Sequence, residues 1–232
     1  YENVVDEKFI TQDNLREKTF KNALEKLKKF IQFENLKNGL DVGTASGNFL
    51  KVCDVEKIDV EGIEPSKWMG DNLKKNTQLT VFNGSFENFK FKKKYDIIFF
   101  WDVLEHVYNL KLTINKVNEI LNSDGYLVIN APDYDSFARK IFGKKWPFYL
   151  SVHLYYFNKI SLDKLLSKNF FFIKKYPHFQ FLELNYVLER AKKYCAFTET
   201  FIPIFKFLKL DKLPIKYNIG QTTFIYKKNN SV

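Results

Sequence analysis

Asp41, Glu64, Asp102, Asp133, His106 and His153 are the side chains of this chain whose types and settings suit ligand binding or proton transfer. Asp41 opens the run Asp41-Val42-Gly43-Thr44-Ala45-Ser46-Gly47, which places an acid before one glycine and a second glycine four residues later. Gly43 takes backbone angles closed to other residues and leaves no side chain in a ligand's way. Gly47 lets the next helix start pack close to the strand. The N–H groups exposed at such a start attract a carboxylate, a phosphate or another electron-rich group. Glu64 follows about 20 residues past the turn, where a carboxylate accepts both ribose hydroxyls of a bound nucleoside. The alternative is a solvated loop acid. Imidazoles change charge near neutral pH, so His153 is the preferred general base, against a capped or packed histidine. Asp102 and Asp133 fall at the carboxyl ends of strands, where open α/β sheets bind ligands, and either serves as base or orienter.

The elements that must position these groups follow from hydrophobic period. A helix is expected over residues 13–33, capped by Thr11 or Asp13, from Leu15, Phe20, Ala23, Leu24, Leu27, Phe30 and Ile31. Strands are expected over 39–42, 58–63, 79–82, 95–101, 126–130, 170–175 and 222–226. Helices are expected over 49–55, 67–74, 110–121 and from Ser161. The continuous apolar run of 95–101 is that of a buried parallel strand. The acid at Glu64 ends the second strand, Pro65 stops it, and Ser66 can cap the following helix.

The glycine turn is not the dinucleotide pattern G-x-G-x-x-G. It resembles motif I of the class I S-adenosylmethionine-dependent methyltransferases. Asp102-Val103-Leu104-Glu105-His106-Val107 resembles the matching segment of ubiquinone-type and related small-molecule methyltransferases, and Asp124-Gly125-Tyr126-Leu127-Val128-Ile129 follows in order. The resemblance covers about residues 38–175. It implies a Rossmann-like, seven-stranded, mostly parallel sheet in the order 3-2-1-4-5-7-6, the last strand antiparallel, with helices on both faces. It implies S-adenosylmethionine as cofactor, held by Asp41, Gly43, Thr44, Ala45, Gly47, Glu64, Ser85, Phe86, Trp101 and Asp102. Ser85 stands where the family carries an acid for the adenine amino group, and Phe86 either stacks on the base or packs in the core. Trp101 and Tyr134 line the donor methionine or the acceptor. His106 falls near the sulfonium end with a catalytic or structural role; His153 and Asp133 are the other catalytic candidates, and His178 is structural. The Pro132-Asp133, Ser136, Trp146-Pro147 and His153-Leu154 series resembles a bacterial subgroup of glycan and natural-product pathways.

The chain is read as one domain over 1–232: an N-terminal helical extension (1–36), a core (37–183), a helical and apolar insertion or lid (184–217) and a last strand with its tail (218–232). Phe201 to Leu210 is apolar with interspersed lysines, which fits a lid, a dimer face or a shallow membrane contact. The absence of an initiator Met implies residues before Tyr1. No run approaches the roughly 18 apolar residues that span a bilayer. Cys53 and Cys195 lack a CxxC partner or a neighbouring histidine, so no metal site is expected and a reducing cytoplasm is. A net charge of +10, from 37 basic and 27 acidic residues, favours an anionic partner. The N/D-P-P-Y/F tetrapeptide of base methylation is absent after strand four, where Phe100-Trp101-Asp102-Val103 stands. The expected acceptor is therefore a small molecule, sugar or glycan precursor, methylated on oxygen, with RNA, a protein, or a non-catalytic binding role as alternatives.

Overall fold

The computed structural model describes residues 13–192, 202–203, 205, 207–210 and 212–229. Its centre is β4 (Tyr95–Trp101), every residue of which but Asp96 is buried. β1 (Gly39–Val42) lies parallel on one side of it, followed outward by β2 (Val60–Glu64) and β3 (Val81–Asn83). On the other side β5 (Leu121–Pro132) is parallel, then β9 (Gln221–Lys228) runs antiparallel between β5 and β6 (Phe170–Pro177). The sheet order β3-β2-β1-β4-β5-β9-β6 is the expected one, with β9 in the place of the seventh strand. Two short strands that the periodicity did not show, β7 (Gln180–Glu183) and β8 (Pro214–Tyr217), pair with each other outside this sheet. β5 begins earlier than expected because Leu121 already pairs with Tyr95; the ladder then bulges before Tyr126 meets Ile97.

The period of two along β4 divides the core. Ile98 and Phe100 face α4 (Leu110–Ile120) and α6 (Lys159–Leu166), packing with Ile114, Val117, Leu162 and Leu166. Ile97, Phe99 and Trp101 face α1 (Asp13–Leu27), α2 (Asn48–Val55) and α3 (Lys67–Asn76), packing with Leu24, Leu27, Phe49, Cys53 and Leu73. α1 ends at Leu27, short of the expected 33, and a 3-10 turn at Phe33–Asn35 leads into β1. Asp13 starts that helix, while Thr11 lies outside the described residues. Ser66 caps α3 by accepting from the Met69 N–H, as its type and place predict.

Trp146 explains part of the segment after β5. It is 1 % exposed, and its indole N–H donates to the Ile219 carbonyl at 2.7 Å. α5 (Phe137–Phe142) is thereby tied to the approach of β9, where the Gly220 carbonyl also accepts from Asp133 N at 2.8 Å. Of the 184–217 insertion, α7 (Leu184–Ala191) is a helix as expected, and Cys195 lies outside the described residues, as does part of the apolar run to Leu210. Trp146→Ala empties a fully buried indole site and orphans a carbonyl, so unfolding in urea should show a loss of about 3–5 kcal/mol. A loss below about 1 kcal/mol would mean that Trp146 does not pin this segment.

Candidate functional site

The turn after β1 is built on positive φ. Gly43 sits at φ +72°, and a Cβ there would meet Val103 Cγ2 at 2.7 Å. Ala45 takes φ +49°, a conformation that a side chain rarely adopts, and is held in it by an outside partner. That partner is Glu64: its Oε2 accepts from Ala45 N at 2.8 Å, and its Oε1 accepts from Ser66 N at 2.8 Å. One buried carboxylate therefore joins the glycine turn to the start of α3. Burial pushes its pKa up, and the two N–H donors pull part of the shift back. Gly47, at φ +72°, is the N-cap of α2 and packs where a Cβ would meet Leu73 at 2.6 Å.

A cavity of about 640 Å³ opens at the carboxyl ends of β1, β2 and β4. Of the expected site residues, Gly43, Ser85, Phe86, Asp102 and His106 line it. Pro65, Glu87, Asn88, Val103, Val107, Tyr108, Asn109 and Leu112 line it as well and were not foreseen. Glu87 follows Ser85 by two residues, so an acid is present near the expected adenine contact; its Oε1 also accepts from Thr113 Oγ1 at 2.9 Å. Asp41, Thr44, Ala45, Gly47 and Glu64 adjoin it without being among its lining residues. Asp102 takes φ +56° and is held on both oxygens, by Asn130 Nδ2 at 2.8 Å and Gln221 Nε2 at 2.7 Å. Desolvation lifts its pKa to about 6, against the pull of those two amides.

Two expectations are corrected. Trp101 projects to the opposite face of the sheet, stacked on Phe99 and edge-on to Phe49 and Phe20, because alternate β4 side chains point apart. It lines no part of the cavity. Asp133, 3 % exposed, spends its carboxylate on the fold: Oδ1 accepts from Asp135 N at 2.9 Å and Oδ2 pairs with Lys175 Nζ at 3.2 Å. It joins β5 to β6 and is not among the residues that line the cavity.

The model of a methyltransferase domain matches residues 15–171, well over half the chain. The chain belongs to this methyltransferase domain family. No functionally curated protein matches the methyltransferase in sequence. Solved structures share its fold at low identity. A SAM-dependent methyltransferase from Archaeoglobus fulgidus is 17 % identical with a TM-score of 0.60, over 96 % of this chain and 100 % of that one. The YcgJ protein from Bacillus subtilis is 14 % identical with a TM-score of 0.60, over 91 % and 99 %. A plantazolicin methyltransferase, in complex with a triazolic desmethylPZN analog and SAH, is 14 % identical with a TM-score of 0.61, over 96 % and 87 %.

Beside the cavity, which His106 lines and His153 does not, the methyltransferase brings two expected histidines together. His106 and His153 meet edge to face with centroids 4.7 Å apart. His106 Nδ1 lies 3.0 Å from the Val152 carbonyl and His153 Nδ1 lies 2.8 Å from the Phe148 carbonyl. Burial lowers the pKa of His106, against the pull of the Val152 carbonyl. Burial takes His153 down to about 4, with the neighbouring His106 lowering it further, so this ring is neutral at pH 7. Aromatic rings continue outward from His153: Tyr156, Tyr149 and Trp146 contact in series, and Arg139 lies over the Tyr134 ring at 3.9 Å. His178 is buried against Trp101, a packing role as expected.

Asp41 is 2 % exposed, its Oδ1 has no hydrogen-bond partner, and burial lifts its pKa to about 8. The nearby Thr44 hydroxyl opposes that rise and Glu64 adds to it. The folded state thus holds this proton more tightly than the unfolded chain. Its contribution is fully present below about pH 4 and is lost as pH rises to about 8. Asp41→Asn should flatten the fall of unfolding free energy between about pH 5 and pH 8 in ligand-free protein. An unchanged slope would show that Asp41 does not titrate there.

Proposed function

We propose that this methyltransferase takes its methyl group from S-adenosylmethionine and passes it to a hydroxyl of a small anionic acceptor, a sugar or glycan precursor. The observation that carries this is a cavity lined by Gly43 of the glycine turn and by His106, whose ring meets that of His153. Its volume of about 640 Å³ falls within the range of small-ligand sites. A side chain at position 43 would intrude beside Val103, and the positive φ there favours glycine. These features fit the donor.

The sulfonium supplies an already activated methyl carbon, which leaves alignment, water exclusion and deprotonation to the protein. Glu64 fixes the turn and keeps lone pairs for ribose hydroxyls. Ser85 and Glu87 offer an acceptor or donor pair to the adenine edge, with Phe86 beside them. Asp102, locked by Asn130 and Gln221, sets the floor near the transferring group. His153, neutral at pH 7, takes the hydroxyl proton, and His106 sits between it and the donor end.

The aromatic series beyond His153 and the exposed Lys140, Lys144 and Lys145 favour an acceptor with a flat or ring-shaped apolar face and a negative charge. No helix among the described residues is long and apolar enough to cross a membrane. A cytoplasmic setting, a homodimer and a lid role for 184–217 belong to this same reading. RNA is the second reading, favoured by the charge of +10. It would show as binding whose logarithm falls linearly with the logarithm of salt concentration.

Release of S-adenosylhomocysteine in the presence of phosphorylated sugars and nucleotide-sugars tests the acceptor class. His153→Ala should lower turnover about 100-fold or more with donor affinity unchanged. Wild-type turnover in this variant would remove His153 from the chemistry, and transfer only to RNA would replace the acceptor proposed.

A further inference from the structure

Phe137-Ala138-Arg139-Lys140-Ile141-Phe142 forms α5, Gly143-Lys144-Lys145 forms the 3-10 turn after it, and neither buries a residue. Phe137 is 78 % exposed and Ile141 65 %, and at i, i+4 they share one side of the helix. Phe142, Leu150, Val152 and Leu154 are exposed as well. Apolar side chains gathered in water in this way cost free energy unless something covers them. Residues 137–154 also carry four cations, Arg139, Lys140, Lys144 and Lys145, and no Asp or Glu. The segment is held in place from within. The Trp146 indole is bonded to the Ile219 carbonyl, and Arg139 Nε donates to the Tyr149 hydroxyl at 3.4 Å, joining α5 to the chain beyond the turn. Its far end reaches the cavity. Leu154 N and Tyr155 N donate to the Glu105 carbonyl at 2.8 and 3.3 Å, and the Tyr155 hydroxyl donates to the Tyr108 carbonyl at 3.2 Å. Tyr108 lines the cavity and is 91 % exposed, and Leu112, which also lines it, is exposed too.

We propose that residues 137–154 dock this methyltransferase on the surface of an anionic lipid bilayer. Phe137, Ile141 and Phe142 enter the interface, and the four cations meet headgroup phosphates. Large apolar side chains interleaved with Lys and Arg, without acids, are the composition of a segment that lies in a membrane surface. Charge decides among the occupants. A second copy meeting this face about a twofold axis would set four cations against the same four. A nucleic acid would take the charges and leave Ile141, Leu150 and Val152 in water. An anionic bilayer satisfies both kinds of side chain, at about fivefold in binding for each cation near its surface. The contact is shallow, since α5 is far too short to span. It is distinct from the run Phe201 to Leu210, part of which lies outside the described residues. The proposal goes beyond the methyl-transfer reading and rests on it in one respect. A glycan precursor carried on a lipid would reach the cavity past Tyr108 without leaving the bilayer surface, and the negative charge that Lys140, Lys144 and Lys145 favour is supplied by headgroups around it.

The test is flotation of the full chain with vesicles of mixed phosphatidylglycerol and phosphatidylcholine, and with vesicles of phosphatidylcholine alone. The chain should float with the mixed vesicles and stay behind with the neutral ones. The double variant Phe137→Ser/Ile141→Ser should bind the mixed vesicles about tenfold or more weakly, and Lys144→Glu/Lys145→Glu should lose at least as much. All four side chains are exposed, so both variants should fold, which circular dichroism checks. A wild-type chain that does not float with the mixed vesicles overturns the surface. A loss confined to the lysine pair overturns it as well, because any basic protein adsorbs to an anionic vesicle. Self-association that the serine pair abolishes, without vesicle binding, replaces the bilayer by a second copy. S-adenosylhomocysteine is titrated into the same samples. Its binding without vesicle binding rejects the surface alone; vesicle binding lost in both variants, without S-adenosylhomocysteine binding, supports the surface and rejects the donor reading.

Discussion

A single buried carboxylate holds the ligand-facing edge of this sheet in shape. Glu64 accepts one N–H from Ala45, in the turn after β1, and one from Ser66, at the start of α3. These donors come from segments about 20 residues apart in the chain, and both sit where strand passes to helix. The turn needs the help: Gly43, Ala45 and Gly47 all carry positive φ, and Ala45 carries it with a side chain. A desolvated carboxylate held by two N–H groups is a strong, directional anchor. Position 43 can then come against Val103 and position 47 against Leu73. The cavity wall inherits its shape from that packing.

Acids gather along the same edge. Asp41, Glu64, Asp102, Glu105 and Asp133 follow the ends of β1, β2, β4 and β5, and each is resolved differently. Glu64 is satisfied by backbone, Asp102 by two side-chain amides, and Asp133 by Lys175 and Asp135 N. Asp41 and Glu105 keep oxygens without partners, and burial drives their pKa values up. Stability is thus given up at the place where a ligand acts, the usual location for such costs. The rest of the molecule offsets it by ordinary means. The two faces of β4 bury separate clusters, and Trp146 fastens the α5 segment to β9.

Much of this was legible in the sequence because it rests on local signals. Glycine spacing, the Glu64-Pro65-Ser66 stop and cap, and the apolar run of 95–101 mark the strands, and their order follows from the resemblance to class I methyltransferases. What was not legible depends on contacts across the chain. An all-apolar strand does not say which face each residue takes, and Trp101 falls outside the lining of the cavity. Asp133 meets its lysine 42 residues away, and no spacing rule reports that. β7 and β8 are four residues each, and β8 begins with a proline, which weakens the strand signal. The pairing of His106 with His153 follows from a loop that folds back through the Glu105 carbonyl. Its two members were named from sequence, but their meeting with Glu105 was not.

Calorimetric titration of S-adenosylhomocysteine into the wild-type chain and into Gly43→Val tests the central claim most directly. The claim is that the cavity beside the Gly43 turn is the donor site. It predicts saturable one-to-one binding to the wild type and a loss of at least about tenfold in the variant, because the new side chain meets Val103. Undiminished affinity in a folded Gly43→Val protein, or no binding to the wild type, would contradict it.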